Sequence, residues 1–281
     1  MKATLLVLAS AALHAAWNAI LKRHPSPRLA GALILIIAAL TASVPVLFSH
    51  EVAFPSGEAV LWTLAAGLGE AAYFIALARA MDASSLGVAY TITRGGSIVV
   101  VWPLSMIFFA ERAGPLAAAG VALVVLGLVL TGLPPPGPRI PQRAAGIAWA
   151  AACAVFIAVV YVFYKKALGL GASRPALFAV SLLVAAPLNV LALGAGAPKR
   201  LLASFRATPI TLFGAGVVCT ASFLLFLGAL HESGAGRVLT LRNTSVVFAH
   251  ALAWLGGEAP PRAVLAGGAL VVVGAALLGA G

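Results

Sequence analysis

Charge is scarce in this chain. Only 9% of its 281 residues are charged, and seven of them are Asp or Glu. An ordinary soluble domain is about 25% charged, so that class is excluded. Asp82 is the single aspartate. Transferases that act on prenyl or phospho-alcohol groups within membranes need clustered aspartates for Mg²⁺, and none can be assembled here. The two cysteines, Cys153 and Cys219, lie inside apolar runs. They read as buried small residues and not as a disulfide or a metal site. The Gly-x-x-x-x-Gly-Lys phosphate loop of ATP-driven pumps is missing. So is the Gly-x-Ser-Gly turn of an intramembrane serine protease: Gly95-Gly96-Ser97 is followed by Ile98, with no histidine evidently placed beside it. The expectation is therefore a protein that is not an enzyme and uses no cofactor or metal.

Apolar length is abundant. The chain is 62% hydrophobic with a mean hydropathy of +1.08. Ten apolar segments can be counted, at about 3–21, 29–48, 59–80, 86–110, 113–132, 144–164, 175–195, 208–230, 235–256 and 260–280. Ten spans of ~20 residues leave room only for short loops. The segments lack the alternation of a membrane β-barrel, and an unpaired backbone cannot cross hydrocarbon, so they read as helices. The first span follows Lys2 and has the outline of a signal peptide. It holds His14, Trp17 and Asn18, however, and many spans follow it, so it reads as a retained helix. The net charge of +11 sits mostly at span ends, where it meets lipid headgroups. No basic stripe with interleaved aromatics suits a nucleic-acid groove.

The sequence repeats. Shifted by 147, residues 119–132 meet 266–279 with nine identities in fourteen positions, including Gly120 on Gly267 and Gly127 on Gly274. Glu111 meets Glu258 at the same shift. With one residue of slippage Arg94, Ser97 and Val99 meet Arg242, Ser245 and Val247, and with two Gly67 and Phe74 meet Gly216 and Phe223. The proline-rich stretch 133–143 separates the copies. The expected organisation is an all-α polytopic membrane protein of ten transmembrane helices: a first five-helix repeat at 1–132, the linker, and a second at 144–281. Five is odd, so the second copy enters the membrane the other way up. Inverted repeats are the architecture of secondary transporters, with substrate held near the midplane.

Two arginines fall within apolar runs, Arg94 and Arg242. Such a residue near mid-bilayer costs ~2.5–3.5 kcal/mol on insertion scales, so it should face protein or water. Tyr90, Arg94 and Ser97 share one helical face, and Arg242 and Ser245 share another. Glu70 is the one carboxylate deep inside a span. It either neutralises Arg94 structurally or binds a substrate amine or a proton. Tyr73 lies one turn from Glu70. His14, Trp17 and Asn18 fall at i, i+3, i+4 on one face, as a cavity wall or as interhelical hydrogen-bonders. Ser222 and His250 complete the candidates in the second copy. One Glu against two Arg leaves a positive excess, which favours a carboxylate-bearing substrate such as an amino acid or an organic acid. Gly95, Gly96 and Pro103 are candidate hinges. The glycines at 120, 127, 267 and 274 read as packing faces, and a homodimer contact is an alternative use for them.

Several features together resemble a known family. They are the two five-span halves, the proline-rich join, Ala110-Glu111-Arg112 and Gly257-Glu258-Ala259 after the fourth and ninth spans, the glycine-spaced fifth and tenth spans, and His14-Ala-Ala-Trp17-Asn18 with Lys22. In these the whole chain is similar to the EamA-like branch of the drug/metabolite transporter superfamily. The resemblance implies an inner-membrane exporter or importer of small metabolites. It also implies that the third, fourth, eighth and ninth helices line a central cavity that the first and sixth close. The small four-helix relatives couple protons through a glutamate in their first span, where this chain has His14 and Asn18. A non-transporting membrane subunit is the alternative function.

Orientation is two-sided. With the N-terminus inside, inner loops hold six Lys or Arg (Lys2, Arg112, Lys165, Lys166, Arg174, Arg237) and outer loops ten (Lys22, Arg23, Arg28, Arg79, Arg139, Arg143, Lys199, Arg200, Arg206, Arg262). The positive-inside rule then points to termini outside, whereas the family resemblance implies termini inside.

Overall fold

The computed structural model describes residues 2–49, 51–109, 114–132, 141–232, 242–258 and 260–280, and these form helices and their connections with no strand. The helices are α1 Lys2–Arg23, α2 Pro27–Leu47, α3 Gly57–Ala83, α4 Leu86–Phe109, α5 Pro115–Gly132 and α6 Pro141–Gly169. They continue with α7 Arg174–Ala192, α8 Ala197–Ala207, α9 Pro209–Glu232, α10 Ser245–Leu255 and α11 Arg262–Ala280. Proline opens α2, α5, α6 and α9. Its missing N–H costs nothing in the first turn, where helix N–H groups have no partner in any case. At α3 the Ser56 hydroxyl caps the helix by accepting from the Ala59 N–H at 3.2 Å.

Among the described residues seven helices are long and apolar enough to cross a membrane, and three shorter apolar helices lie at Pro115–Thr131, Ser245–Leu255 and Arg262–Leu277. The chain is thus a multi-pass membrane protein. Three details differ from the sequence reading. The sixth span is longer than 144–164, because α6 runs on at both ends. The last three residues of the expected linker are helical, while 133–140 lie outside the described residues, as do Ala110, Glu111 and Arg112. The stretch 197–207 is a helix and not a loop. Its Ala197 and Leu201 are buried at i, i+4 while Lys199, Arg200 and Arg206 are exposed, the pattern of a helix lying along an interface.

Polarity is distributed inside out. Leu40, Leu68, Val129, Leu183 and Val273 are at least half exposed on the flanks of their helices. His14, Glu70, Arg94 and Arg242 are buried. Lipid solvates the first set at no cost, whereas the second must find partners inside the protein. α3 packs on α6 and α7, α1 on α9 and α10, α2 on α7 and α9, and α5 on α11.

Glycine sets the closest approach. A Cβ on Gly127 would lie 2.5 Å from the Gly267 carbonyl oxygen, and one on Gly274 would lie 2.6 Å from that of Gly120. The glycine faces expected to pack helices, or to join a dimer, are therefore used within the chain, between α5 and α11. Gly95 and Gly96 also have packing roles. A Cβ on Gly95 would lie 2.8 Å from Leu128 and one on Gly96 would lie 2.9 Å from Ala154, so they let α4 approach α5 and α6.

At one face of the bundle, backbone ends are tied across helices. Lys22 Nζ donates to the Met81 carbonyl and Arg23 Nη2 to that of Leu252, each at 3.0 Å. Glu258 Oε2 accepts from the Leu86 N–H at 3.0 Å. These ends are the C-termini of α3 and α10 and the N-terminus of α4, so charges of the right sign meet each helix dipole.

Candidate functional site

All eleven residues singled out for a site (His14, Trp17, Asn18, Glu70, Tyr73, Tyr90, Arg94, Ser97, Ser222, Arg242 and Ser245) are buried. The structure does not gather them into one contact set. Its centre is the His14 imidazole on α1. Arg94 Nη2 from α4 faces Nε2. On the other nitrogen, Nδ1, Arg242 Nη2 and Ser222 Oγ each lie at 3.4 Å and Trp17 Nε1 at 3.3 Å. Two guanidinium groups thus flank a single ring. A neutral imidazole has one N–H and one bare nitrogen, so it can accept from only one side.

The arginines are otherwise held by aromatic faces. Arg242 Cζ lies 3.7 Å from the Phe226 ring centre and 4.9 Å from that of Phe223, and Arg94 Cζ lies 5.5 Å from that of Tyr90. Arg242 Nη1 donates to the Tyr161 hydroxyl at 3.4 Å. The sequence reading weighed an ion pair between Glu70 and Arg94; it is not formed. Among the described residues an ion pair links Arg28 and Asp82, and no carboxylate lies within ion-pair distance of Arg94 or Arg242. Glu70 instead accepts from the Tyr164 hydroxyl at 2.9 Å, and that hydroxyl is 2.9 Å from Ser181 Oγ. One carboxylate oxygen, Oε1, is thus held by α6, and neither oxygen is within ion-pair distance of a guanidinium group.

Among the described residues Asn18 Oδ1, Glu70 Oε2 and Arg242 Nε are buried and have no hydrogen-bond partner. Buried polar atoms are nearly always hydrogen-bonded to protein or water, so these are exceptions. Other candidates are spoken for. Ser97 Oγ donates to the Arg94 carbonyl at 2.8 Å, and Asn18 Nδ2 to that of His14 at 2.7 Å. Tyr73 packs edge-on against Phe74, Trp17 stacks on the same ring, and His250 lies 3.1 Å from Thr91 Oγ1.

Residues missed from the sequence are Tyr161, Tyr164 and Ser10. Ser10 Oγ donates to the Ser222 carbonyl at 2.6 Å while Ser222 Oγ donates back to that of Ser10 at 3.1 Å, which locks α1 to α9. The tyrosines had a signal. Adding the repeat shift of 147 to His14 and Trp17 lands on Tyr161 and Tyr164.

These features define a helical membrane protein with a polar centre. Residues 144–280, the second half of the chain, match the model of the EamA-like transporter family. The match agrees with the drug/metabolite transporter superfamily to which the sequence resemblance pointed. No curated protein matches the chain. One solved structure, a crystal structure described only as that of a protein, is similar with a TM-score of 0.67 at 22% identity. It covers 98% of this chain and 95% of its own, and a likeness at that identity is one of fold.

Proposed function

We propose that the chain is a secondary transporter working by alternating access, and that its substrate is a small metabolite bearing a carboxylate, such as an amino acid or an organic acid. The observation that carries this reading is the pair of buried guanidinium groups, Arg94 and Arg242, on opposite nitrogens of His14, with no carboxylate of the described residues within ion-pair distance of either. Two uncompensated charges at this depth are costly. An anionic substrate group placed among them supplies the missing acceptor, and planar guanidinium forks suit a carboxylate.

The arrangement as two inverted five-helix repeats, 1–132 and 144–281, rests on paired contacts. Gly67 abuts Val184, and its equivalent Gly216 abuts Ile37, which is Val184 less the shift of 147. Gly127 meets Gly267 and Gly274 meets Gly120, so α5 and α11 pack antiparallel through equivalent residues. Reciprocal contacts of this kind are what a two-fold axis produces. The polar ties at that face of the bundle, from Lys22, Arg23 and Glu258, are contacts that an alternating mechanism would have to release.

Proteoliposome counterflow with radiolabelled amino acids, organic acids and sugars tests the assignment. The expected result is exchange of a carboxylate-bearing solute and not of neutral sugars. A pool in which nothing exchanges would leave the subunit reading standing. Glu70, free of Arg94, is assigned to the substrate amine or to a proton. Glu70→Gln keeps an oxygen for Tyr164 and so folds, while exchange of a zwitterion falls. Unchanged exchange would make Glu70 purely structural. Tyr164→Phe strands the carboxylate and is expected to lower stability by ~1–3 kcal/mol, read from thermal unfolding in detergent.

A further inference from the structure

A second polar site lies at the edge of the bundle, apart from the centre. A cavity of about 360 Å³ opens between α2, α3, α7 and α8, lined by Arg28, Arg79, Asp82, Asn189, Leu193 and Arg200 among others. On α3 the lining residues Ile75, Ala78, Arg79 and Asp82 fall at i, i+3, i+4, i+7, a different face from that of Glu70 and Tyr73. Three guanidinium groups therefore meet one carboxylate. Arg28 Nε is 3.1 Å from Asp82 Oδ2. Arg200 Nη2 donates to the Leu193 carbonyl at 2.5 Å, which fixes that side chain at the C-terminus of α7. Arg79 lies over Trp149, its Cζ 4.3 Å from the ring centre.

The depth of the cavity follows from its walls. They are the N-terminal turn of α2, the C-terminal turns of α3 and α7, and α8. Each is a helix end or an interfacial helix, which puts the cavity at headgroup level. α8 is pinned there by Ser204 Oγ, 3.2 Å from His24 Nε2 in the connection between α1 and α2. Beside the lining residues Ala192 and Arg200, Leu191 is 73% exposed and Leu202 is 50% exposed, which offers apolar surface where acyl chains would run. Lys22 and Arg23 at the C-terminus of α1 and Lys199 and Arg206 on α8 lie at the same end of the bundle. The positive-inside rule and the anionic cytoplasmic leaflet both draw such a face to the same side.

We propose that this cavity holds the phosphate headgroup of an anionic phospholipid. Guanidinium forks bind phosphate oxygens in pairs, and the volume falls in the ~300–1,000 Å³ range of ligand pockets, enough for a headgroup whose chains stay outside. Asp82 sets the strength of binding, because it competes with the phosphate for Arg28.

The test uses the full chain, released from phosphatidylcholine vesicles containing a minor fraction of phosphatidylglycerol, with the retained lipid read by native mass spectrometry. Phosphatidylglycerol is expected to be enriched over its share of the vesicle. Arg28→Gln and Arg79→Gln each reduce that enrichment about fivefold. Asp82→Asn raises it, a change that loss of folding cannot imitate. Glycerol phosphate and inorganic phosphate in solution do not displace the lipid. Equal retention of both lipids, or enrichment indifferent to all three variants, would overturn the proposal. Displacement by glycerol phosphate would assign the cavity to a soluble phosphate ester instead.

Discussion

Arg242→Gln is expected to weaken apparent substrate affinity by about tenfold to a hundredfold, the loss of a hydrogen bond to a charged group, with the protein still folded. Folding survives because among the described residues the guanidinium group has no ion pair to lose. Its neighbours are the Phe223 and Phe226 rings, His14 Nδ1 and the Tyr161 hydroxyl. Glutamine retains a donor for one of them and removes a buried charge that costs free energy in the empty site. Arg94→Gln is expected to behave alike, since Arg94 faces the other nitrogen of the same ring. The concentration dependence of counterflow measures both. If either variant exchanged a carboxylate substrate with undiminished affinity, the guanidinium groups would be scaffolding and the anion site would have to lie elsewhere.

Gly127→Val should damage folding more than any change at the centre. The added Cβ would meet a backbone oxygen, that of Gly267, at 2.5 Å and Leu270 Cβ at 3.1 Å. A carbonyl cannot swing aside as a side chain can, so α5 and α11 must separate along their length. Overpacking typically costs ~1–3 kcal/mol, and here the lost contact extends to Gly120 and Gly274. Gly214→Val in α9 is the control, because nothing lies within 4 Å of its Cβ. Thermal unfolding in detergent should show a large loss for the first and little for the second. Equal behaviour would mean that the glycines of α5 and α11 are not what sets the helix spacing.

Much of this was legible along the chain. Spans announce themselves because hydrocarbon admits only long apolar helices, and prolines mark where α2, α5, α6 and α9 begin. Arg94 and Arg242 stood out because a charge in such a run has few places to go. α8 was not legible: eleven residues with three cations look like a loop until Leu201 and Ala197 are seen to be buried together. Tyr161 and Tyr164 were not read because their span, 144–164, holds no charge inside it of the kind that drew attention to Tyr73 and Tyr90, and only their register with His14 and Trp17 distinguishes them.

The sequence by itself determined that the chain lives in a membrane as helices, carries an internal repeat and holds cations within its spans. Hydropathy, length and self-similarity are properties of neighbours along a chain, and those need no third dimension. Tertiary structure alone decided the pairings. It put Glu70 on Tyr164 and not on Arg94, set both arginines against one histidine, and spent the glycine faces inside the molecule. Partner choice depends on which helix faces which at a few ångströms, and side chains from 80 to 228 positions apart carry no local mark of that.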